Sequence, residues 1–520
     1  MKYIKSGKKF NSLLINTPAT RVINLEPPDT VALMPSLVPH IKPRLLVKPN
    51  DKVHKGTAIF EDKRNPEIKY LSPVSGEIIN IHFGPRRVIE EIVIRLDNKD
   101  IMDETLSQVL SNISTLISNA SPVSEEKHSN GLKSLPHNLL PQLSDSFSAA
   151  NIEIILKQAG MWQMLLQFPF MDIAETKNTK ITTTNPSSSG EEESNKASEQ
   201  YGFPALIVSL QPGDSFSPCA STILKDREAD FITGIAAIKK LAADIVVAAP
   251  QDQIKNLVKI EEHITHLTDS EWPAGDPGVI LYKIKPDSSW NRSVTINPQD
   301  LLAIGALFGR GIYDVQRVFT TGGGTVEKPC HMRSILGTPV TQLTKKVPDG
   351  KSVITGGIFS GRHARKRENI KAGKHRDDLT QDDDYRGHMA AGEYSAIVLD
   401  CSQTEHFFGF LTPGTGSMSE SRTFLSALSP TAVNADINLH GEERACINCG
   451  ICDKKCPVDL LPQFIMKAAH AEEMEEVIQM GLLDCTLCGL CSCVCPSKID
   501  LSAIMQRTKE QYYKLKVDTY

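Results

Sequence analysis

Eight cysteines near the C-terminus have the type and spacing to hold metal. Cys446, Cys449, Cys452 and Cys456 form one run, and Cys485, Cys488, Cys491 and Cys495 form a second; the fourth cysteine of each is followed by proline, Pro457 or Pro496. Both runs read C-x2-C-x2-C-x3-C-P, the spacing that binds a [4Fe–4S] cubane. Three thiolates at three-residue steps wrap one short loop round three irons. The fourth, just before proline, has already left that loop for the next element. Where two such runs occur together, the fourth cysteine reaches the other cubane. The expected ligand sets are therefore interleaved: Cys446, Cys449, Cys452 and Cys495 for the first cluster, and Cys485, Cys488, Cys491 and Cys456 for the second. Zinc favours two separated pairs of ligands and suits triplets poorly, as do disulfides. Cys493 is a spare thiol, expected to pack in the interior.

Two such clusters imply one-electron transfer. A cubane changes oxidation state with little movement, so the chain must place it rigidly and set its potential through N–H bonds to sulfur, burial and nearby charge. Ile447, Ile451, Leu487 and Leu490 stand where an apolar cover is needed, and Lys454 and Lys455 read as solvated lysines beside the first run. After Cys456, the sequence Val458-Asp-Leu-Leu-Pro462 opens a helix expected to run to about Gly481. Leu461, Ile465, Ala468 and Ala469 would share one face, with Glu472, Glu473, Glu475 and Glu476 in water. A second helix from about Leu501 ends the chain. No Ser-His-Asp or paired-carboxylate group stands out, so no catalytic acid–base or nucleophilic residue is assigned.

The elements that position this region form an α/β multidomain chain. Its 520 residues are enough for about three or four domains, and 40% hydrophobic and 23% charged content suits globular folding. A formal net charge of −5 favours neither nucleic acid nor an anionic membrane surface as partner. Cys219, Cys330 and Cys401 are isolated, which fits a reducing compartment. No apolar stretch reaches the ~18 residues of a membrane span; the best, from Ile232 to Ala249, is broken by Lys239, Lys240 and Asp244. No apolar core of a signal peptide follows Met1.

Short β-branched runs punctuated by Gly and Pro, such as Leu45–Gly56 and Tyr70–Ile79, make residues 1–100 a small β module. It resembles the barrel-sandwich fold of lipoyl and biotinyl carriers. In that resemblance Lys63, within Glu61-Asp62-Lys63, is either the attachment point of a swinging prosthetic group or part of a module used only as a structural cap. The following Arg64-Asn65-Pro66 suggests a loop longer than a carrier hairpin and favours the cap. Residues 101–150 read as a polar linker. Residues 151–310 read as a Rossmann-like α/β domain, with Ala205–Leu210 and Asp244–Ala249 as buried strands, a helix from Asp230 to Leu241 between them, and a flexible low-complexity insertion at 175–200. Residues 311–400 are β-rich. There Gly322-Gly323-Gly324 is a weak phosphate-loop signal and more plausibly a strand turn, and the basic and acidic run after Gly361 is an exposed excursion. Residues 401–520 form the helical two-cluster domain.

Taken in order, these segments resemble the NqrA subunit of the sodium-translocating NADH:quinone reductase, Nqr, and its relative, the RnfC subunit of the Rnf electron-transport complex. The Nqr likeness rests on Val38-Pro-His-Ile-Lys-Pro-Arg-Leu-Leu-Val47, Ser72-Pro-Val-Ser-Gly76, Gln158-Ala-Gly-Met-Trp162, Trp272-Pro-Ala-Gly-Asp-Pro-Gly278, Gln299-Asp-Leu-Leu-Ala-Ile-Gly305 and Ser421-Arg-Thr-Phe-Leu425. The two intact cysteine runs are the Rnf-like feature. The resemblance implies a β-grasp-like segment of the SLBB type at 311–400. It also implies a peripheral protein on the cytoplasmic face of the bacterial inner membrane, without a membrane span of its own. Its partners would be hydrophobic membrane subunits, with NADH oxidised elsewhere and quinone at an interface between subunits. A protein of the RnfC type would carry a glycine-rich loop for FMN and NADH. Here that place holds Met161, Trp162 and Met164, whose side chains would crowd the backbone approach that phosphate needs, so FMN and NAD are not expected on this chain. The alternative is an RnfC-type protein that binds FMN and NADH itself and exchanges electrons with ferredoxin.

Overall fold

The structure, a computed structural model, describes residues 1–4, 13–14, 19–97, 148–175, 202–211, 216–323, 326, 328–344, 347, 350–364, 387–400, 433–434 and 443–519. The polar linker up to residue 147, the insertion from 176, the charged excursion beyond Ala364, Cys401 and the run from Ser421 lie outside the described residues.

Between Thr30 and Leu96 the short apolar runs form two antiparallel sheets. One is ordered Thr30–Leu33, Ile89–Leu96, Gly76–Phe83, Lys52–Val53; the other is ordered Pro43–Leu45, Ala58–Asp62, Asn65–Leu71. Side chains alternate across a strand. Ile92 and Ile94 therefore point the same way, opposite Ile81 and Ile78, and pack with Val31, Ile59, Phe60 and Ile68 in one buried cluster. The other face of Ile89–Leu96 is covered as well. Glu91 is buried there, with its carboxylate 2.7 Å from His388 Nδ1, so the β-rich segment closes over the outside of the module.

The α/β domain has a seven-stranded sheet in the order Lys2–Ile4, His266–Thr268, Ala242–Pro250, Phe203–Ser209, Val294–Ile296, Leu166–Gln167, Asp172–Ile173. The first five run parallel, and the last two form an antiparallel hairpin at the edge. The central strand is apolar on both faces, with Leu206, Ile207 and Val208 fully buried, as parallel sheets covered by helices require. The crossover helix expected from Asp230 is present as Glu228–Ile238. It packs on helix Pro298–Arg310, whose limits are written locally. The Asn297 side chain accepts from the Gln299 N–H at the start, Pro298 occupies the first turn, and Gly311 (φ 67°) ends it in the left-handed region. The two helices touch through glycines: a Cβ on Gly305 would lie 1.7 Å from the carbonyl oxygen of Asp230.

A six-stranded sheet makes up the β-rich segment, ordered Arg362–His363, Lys351–Thr355, Ser395–Asp400, Gln316–Gly322, Cys330–Ile335, Ala19–Asn24. Its outermost strand thus comes from near the N-terminus. Arg317, 1% exposed, ties this sheet to the α/β domain by donating to Asp300 at 2.9 Å and to the carbonyl oxygens of Asp314 and Gln316. A buried guanidinium needs such partners; both terminal nitrogens have them, while Nε is buried without one. Gly322 closes its strand. Gly323 follows at φ 120°, where a Cβ would meet the Val398 carbonyl oxygen at 2.1 Å, a close backbone approach at a strand end. Gly324 is outside the described residues.

In the C-terminal domain the single helix expected to Gly481 is two, Pro462–His470 and Met474–Gln479. The chain turns between them at Glu472, whose φ is 60°. Ile465 and Ala468 are buried as expected, but Leu461 is 45% exposed because the helix begins after it. Helix Leu501–Thr519 ends the domain. Among the described residues no helix is long and apolar enough to cross a membrane.

Gly305→Val should force apart the two helices that meet there, costing on the order of 3 kcal/mol. Chemical denaturation of the purified chain should show the loss as a lower midpoint, while Gly350→Val, at a position with open space around the Cβ, pays only for its left-handed backbone.

Candidate iron–sulfur sites

The two cysteine loops have the same backbone. Asn448 and Leu487, before the second cysteine of each run, have φ 53° and 55°; Gly450 and Gly489, after it, have φ 68° and 76°. Each glycine begins a short helix, Ile451–Lys455 or Leu490–Cys493, that carries the third cysteine, Cys452 or Cys491. The fourth cysteine follows the helix, and three residues further on the left-handed conformation recurs at Asp459 (φ 52°) and Lys498 (φ 57°). Left-handed backbone is uncommon outside glycine. Its repetition at matching places shows that the spacing imposes one geometry twice.

The side chains gather in the interleaved sets. Cys446, Cys449, Cys452 and Cys495 line one cavity, together with Ile447, Gln463 and Ile499. Cys456, Cys485, Cys488 and Cys491 line another, with Val458, Leu490 and Met505. Among the described residues no three His, Cys, Asp or Glu side chains converge on one ion-sized point. The four thiols of each set are spread around a space, as a multi-iron core requires.

Main-chain N–H groups point at the sulfurs. Leu460 donates to Cys456 Sγ at 3.3 Å, and backbone donors at Leu487, Leu490 and Ser492 serve Cys485, Cys488 and Cys491. Ile499 and Ser497 serve Cys495. Burial nevertheless pushes Cys452 and Cys488 up to about 12, and it raises Cys485, Cys491 and Cys495 as well. At Cys488 and Cys491 the other thiols of the set add to the shift. Thiols drawn together out of water resist becoming anions unless a cationic core joins them, so the donor set fits an iron–sulfur cluster.

The two cavities differ in their surroundings. The second is walled by the rest of the protein: a Cβ on Gly278 would meet Thr486 at 2.7 Å, and one on Gly489 would meet Phe359 at 2.9 Å. Val279 joins Cys456, Val458 and Met505 in one apolar cluster. Lys283 and Lys285 reach across to Asp459 and Asp484 at 2.7 and 2.5 Å. Among the described residues, the apolar cluster at the first cavity lies within its own domain. Of the expected apolar covers, Ile451 and Leu490 are buried, whereas Ile447 is 53% exposed on the rim of the first cavity. Cys493 is exposed rather than packed, because it lies on the outer side of the short helix that turns Cys491 inward.

Lys63 is exposed at a two-residue turn in which Asp62 pairs with Asn65, so the hairpin is tighter than its sequence suggested. The turn is also docked. Arg64 donates to the His40 carbonyl oxygen at 3.1 Å and bonds Tyr513 on the C-terminal helix, and Tyr513 stacks on His40 at 3.6 Å. A tip held in this way suits a structural cap. Where an RnfC-type protein would carry its phosphate loop, Met161 and Trp162 are buried, and the Trp162 indole donates to the Ala174 carbonyl oxygen at 2.8 Å. Lys509, which the sequence reading did not single out, is buried beside Cys485; only its place on the inner face of an otherwise polar helix marked it.

Residues 4–97 match the NqrA N-terminal barrel-sandwich hybrid domain, residues 196–313 the NqrA second alpha/beta domain, and residues 442–499 a 4Fe-4S dicluster domain. The chain joins two domains of the NqrA type to a dicluster domain. Similar proteins include the NqrA component of the Na(+)-translocating NADH-quinone reductase of Neisseria meningitidis, 25% identical over 98% of this chain and 99% of that protein. That of Pasteurella multocida is 27% identical, over 93% of each. Among solved structures, an NAD+-reducing [NiFe]-hydrogenase in the H2-reduced state aligns with 78% of this chain and 73% of its own at 13% identity and a TM-score of 0.33, too distant a likeness to carry an argument.

The interleaving has a direct test. Cys456→Ser and Cys491→Ser should each abolish the same reduced-cluster EPR signal, although they lie in different runs, and Cys495→Ser and Cys449→Ser should abolish the other. Pairing by run instead would refute the assignment.

Proposed function

We propose that this chain is a peripheral electron-transfer subunit of a membrane-bound, ion-translocating NADH:quinone oxidoreductase of the Nqr type. One observation carries the reading: a chain with both NqrA domains also holds two four-thiol cavities. Each cluster, when bound, supplies a one-electron site. The first is held by Cys446, Cys449, Cys452 and Cys495, the second by Cys485, Cys488, Cys491 and Cys456. The chain's own residues fix the sulfurs with N–H bonds, and Thr486 and Gly489 of the second set's loop lie against Gly278 and Phe359 of the rest of the protein.

In this reading residues 1–100 form the barrel-sandwich module, 101–150 the linker, 151–310 a Rossmann-like domain with its insertion at 175–200, 311–400 an SLBB-like segment and 401–520 the two-cluster domain. The buried Met161 and Trp162 support placing FMN and NAD on other subunits. Hydrophobic membrane subunits, the cytoplasmic face of the bacterial inner membrane, a quinone at an interface between subunits and sodium as the transported ion follow from the relatives' role. The NqrA-type domains and the relatives' names favour this reading over an RnfC-type protein.

Anaerobic purification of the native complex, followed by iron, sulfide, flavin and subunit analysis, tests it. About eight irons per copy of this chain are expected, with flavin on other subunits. An isolated chain that carries flavin and reduces dyes from NADH would refute it.

A further inference from the structure

Helix Leu501–Thr519 carries Lys509 on its inner face, where the residue is only 8% exposed. Its ammonium donates to the carbonyl oxygen of Pro169 at 2.9 Å and to that of Cys485 at 2.9 Å. It therefore pins the start of the second cysteine loop to the edge hairpin of the α/β sheet. Both acceptors are neutral. The nearby carboxylates have other work: Asp484 pairs with Lys285 at 2.5 Å, and Asp276 caps helix Pro277–Ile284 by accepting from the N–H groups of Gly278 and Val279 at 2.8 and 3.3 Å. A buried ammonium bonded only to carbonyls is costly unless negative charge lies close by. The Cys485 thiolate is the first source of that charge, with Asp484 and Asp276 behind it.

We propose that Lys509 sets the reduction potential of the second cluster, its buried positive charge favouring the reduced form. The inference rests on the two-cluster reading above. When this cluster accepts an electron from its redox partner, the thiolate-bound core becomes one unit more negative. A fixed cation in a water-poor site stabilises that state more than the oxidised one. Among the described residues the first cavity has no lysine so deeply buried. Lys454 and Lys467 beside it are exposed, and Lys498, near Cys495, is only half-buried, so water and salt weaken their effect. Lys509 thus makes the enclosed cluster easier to reduce than its burial alone would allow.

The test is a redox titration of the full, cluster-loaded chain followed by EPR. Lys509→Met should lower the midpoint of the signal that is lost in Cys491→Ser, by roughly tenfold in its reduction equilibrium, about 59 mV for a one-electron couple. The other signal should stay in place, and Lys509→Arg should restore most of the shift. A midpoint unchanged in Lys509→Met, an equal shift of both signals, or no rescue by Lys509→Arg would overturn the tuning role. If Lys509→Met and Lys509→Gln both lose about half of the iron while Lys509→Arg keeps it, the lysine is a structural clamp and the tuning role falls. A wild-type chain with no cubane signal would instead sink the cluster reading itself.

Discussion

Eight cysteines line two small spaces; burial opposes the charging of Cys452, Cys485, Cys488, Cys491 and Cys495, and at Cys488 and Cys491 the neighbouring thiols oppose it further. The rest of the C-terminal domain is organised around this difficulty. Left-handed residues at matching points in both loops aim the thiols inward, short helices present N–H groups to sulfur, and the two chain segments after Cys456 and Cys495 exchange places so that each cavity receives its fourth donor. Neither cavity can be completed by one loop alone, so the two halves of the domain depend on each other.

The large N-terminal part supplies rigidity. Its domains are joined by buried polar contacts, Arg317 with Asp300 and Glu91 with His388, and it meets the C-terminal helix through the half-buried aromatic stack of His40 on Tyr513. The helix that starts at Asp276, the Phe359 segment and the edge hairpin at Pro169 all press on the second cavity. Among the described residues, one cluster site is therefore walled by the other domains, while the other packs within its own. Such an asymmetry suits a relay in which one centre meets an external partner and the other is governed by the protein around it.

The dicluster domain was legible in the sequence because each cysteine run is local: three-residue steps and a following proline are short-range geometry. The crossover helix and buried strands of the α/β domain were legible through periodicity for the same reason. What escaped was set over long range. Nothing near Lys509 announces that its acceptors are carbonyls of Pro169 and Cys485. Cys493 and Ile447 were expected to pack because of their type, yet the turn of a short helix and the edge of the domain leave both in water. The break at Glu472 carries no Gly or Pro to mark it, and the run of glutamates there is as helix-compatible as its neighbours.

The strands Lys2–Ile4 and Ala19–Asn24 finish sheets whose other members are encoded in the middle of the chain, next to His266–Thr268 and Cys330–Ile335. During synthesis these first strands emerge long before anything they can join. Pairings so distant in sequence form slowly, and an unjoined strand is an open template for the wrong neighbour. The order of biogenesis follows: these two sheets close only after the central strands they join have been made.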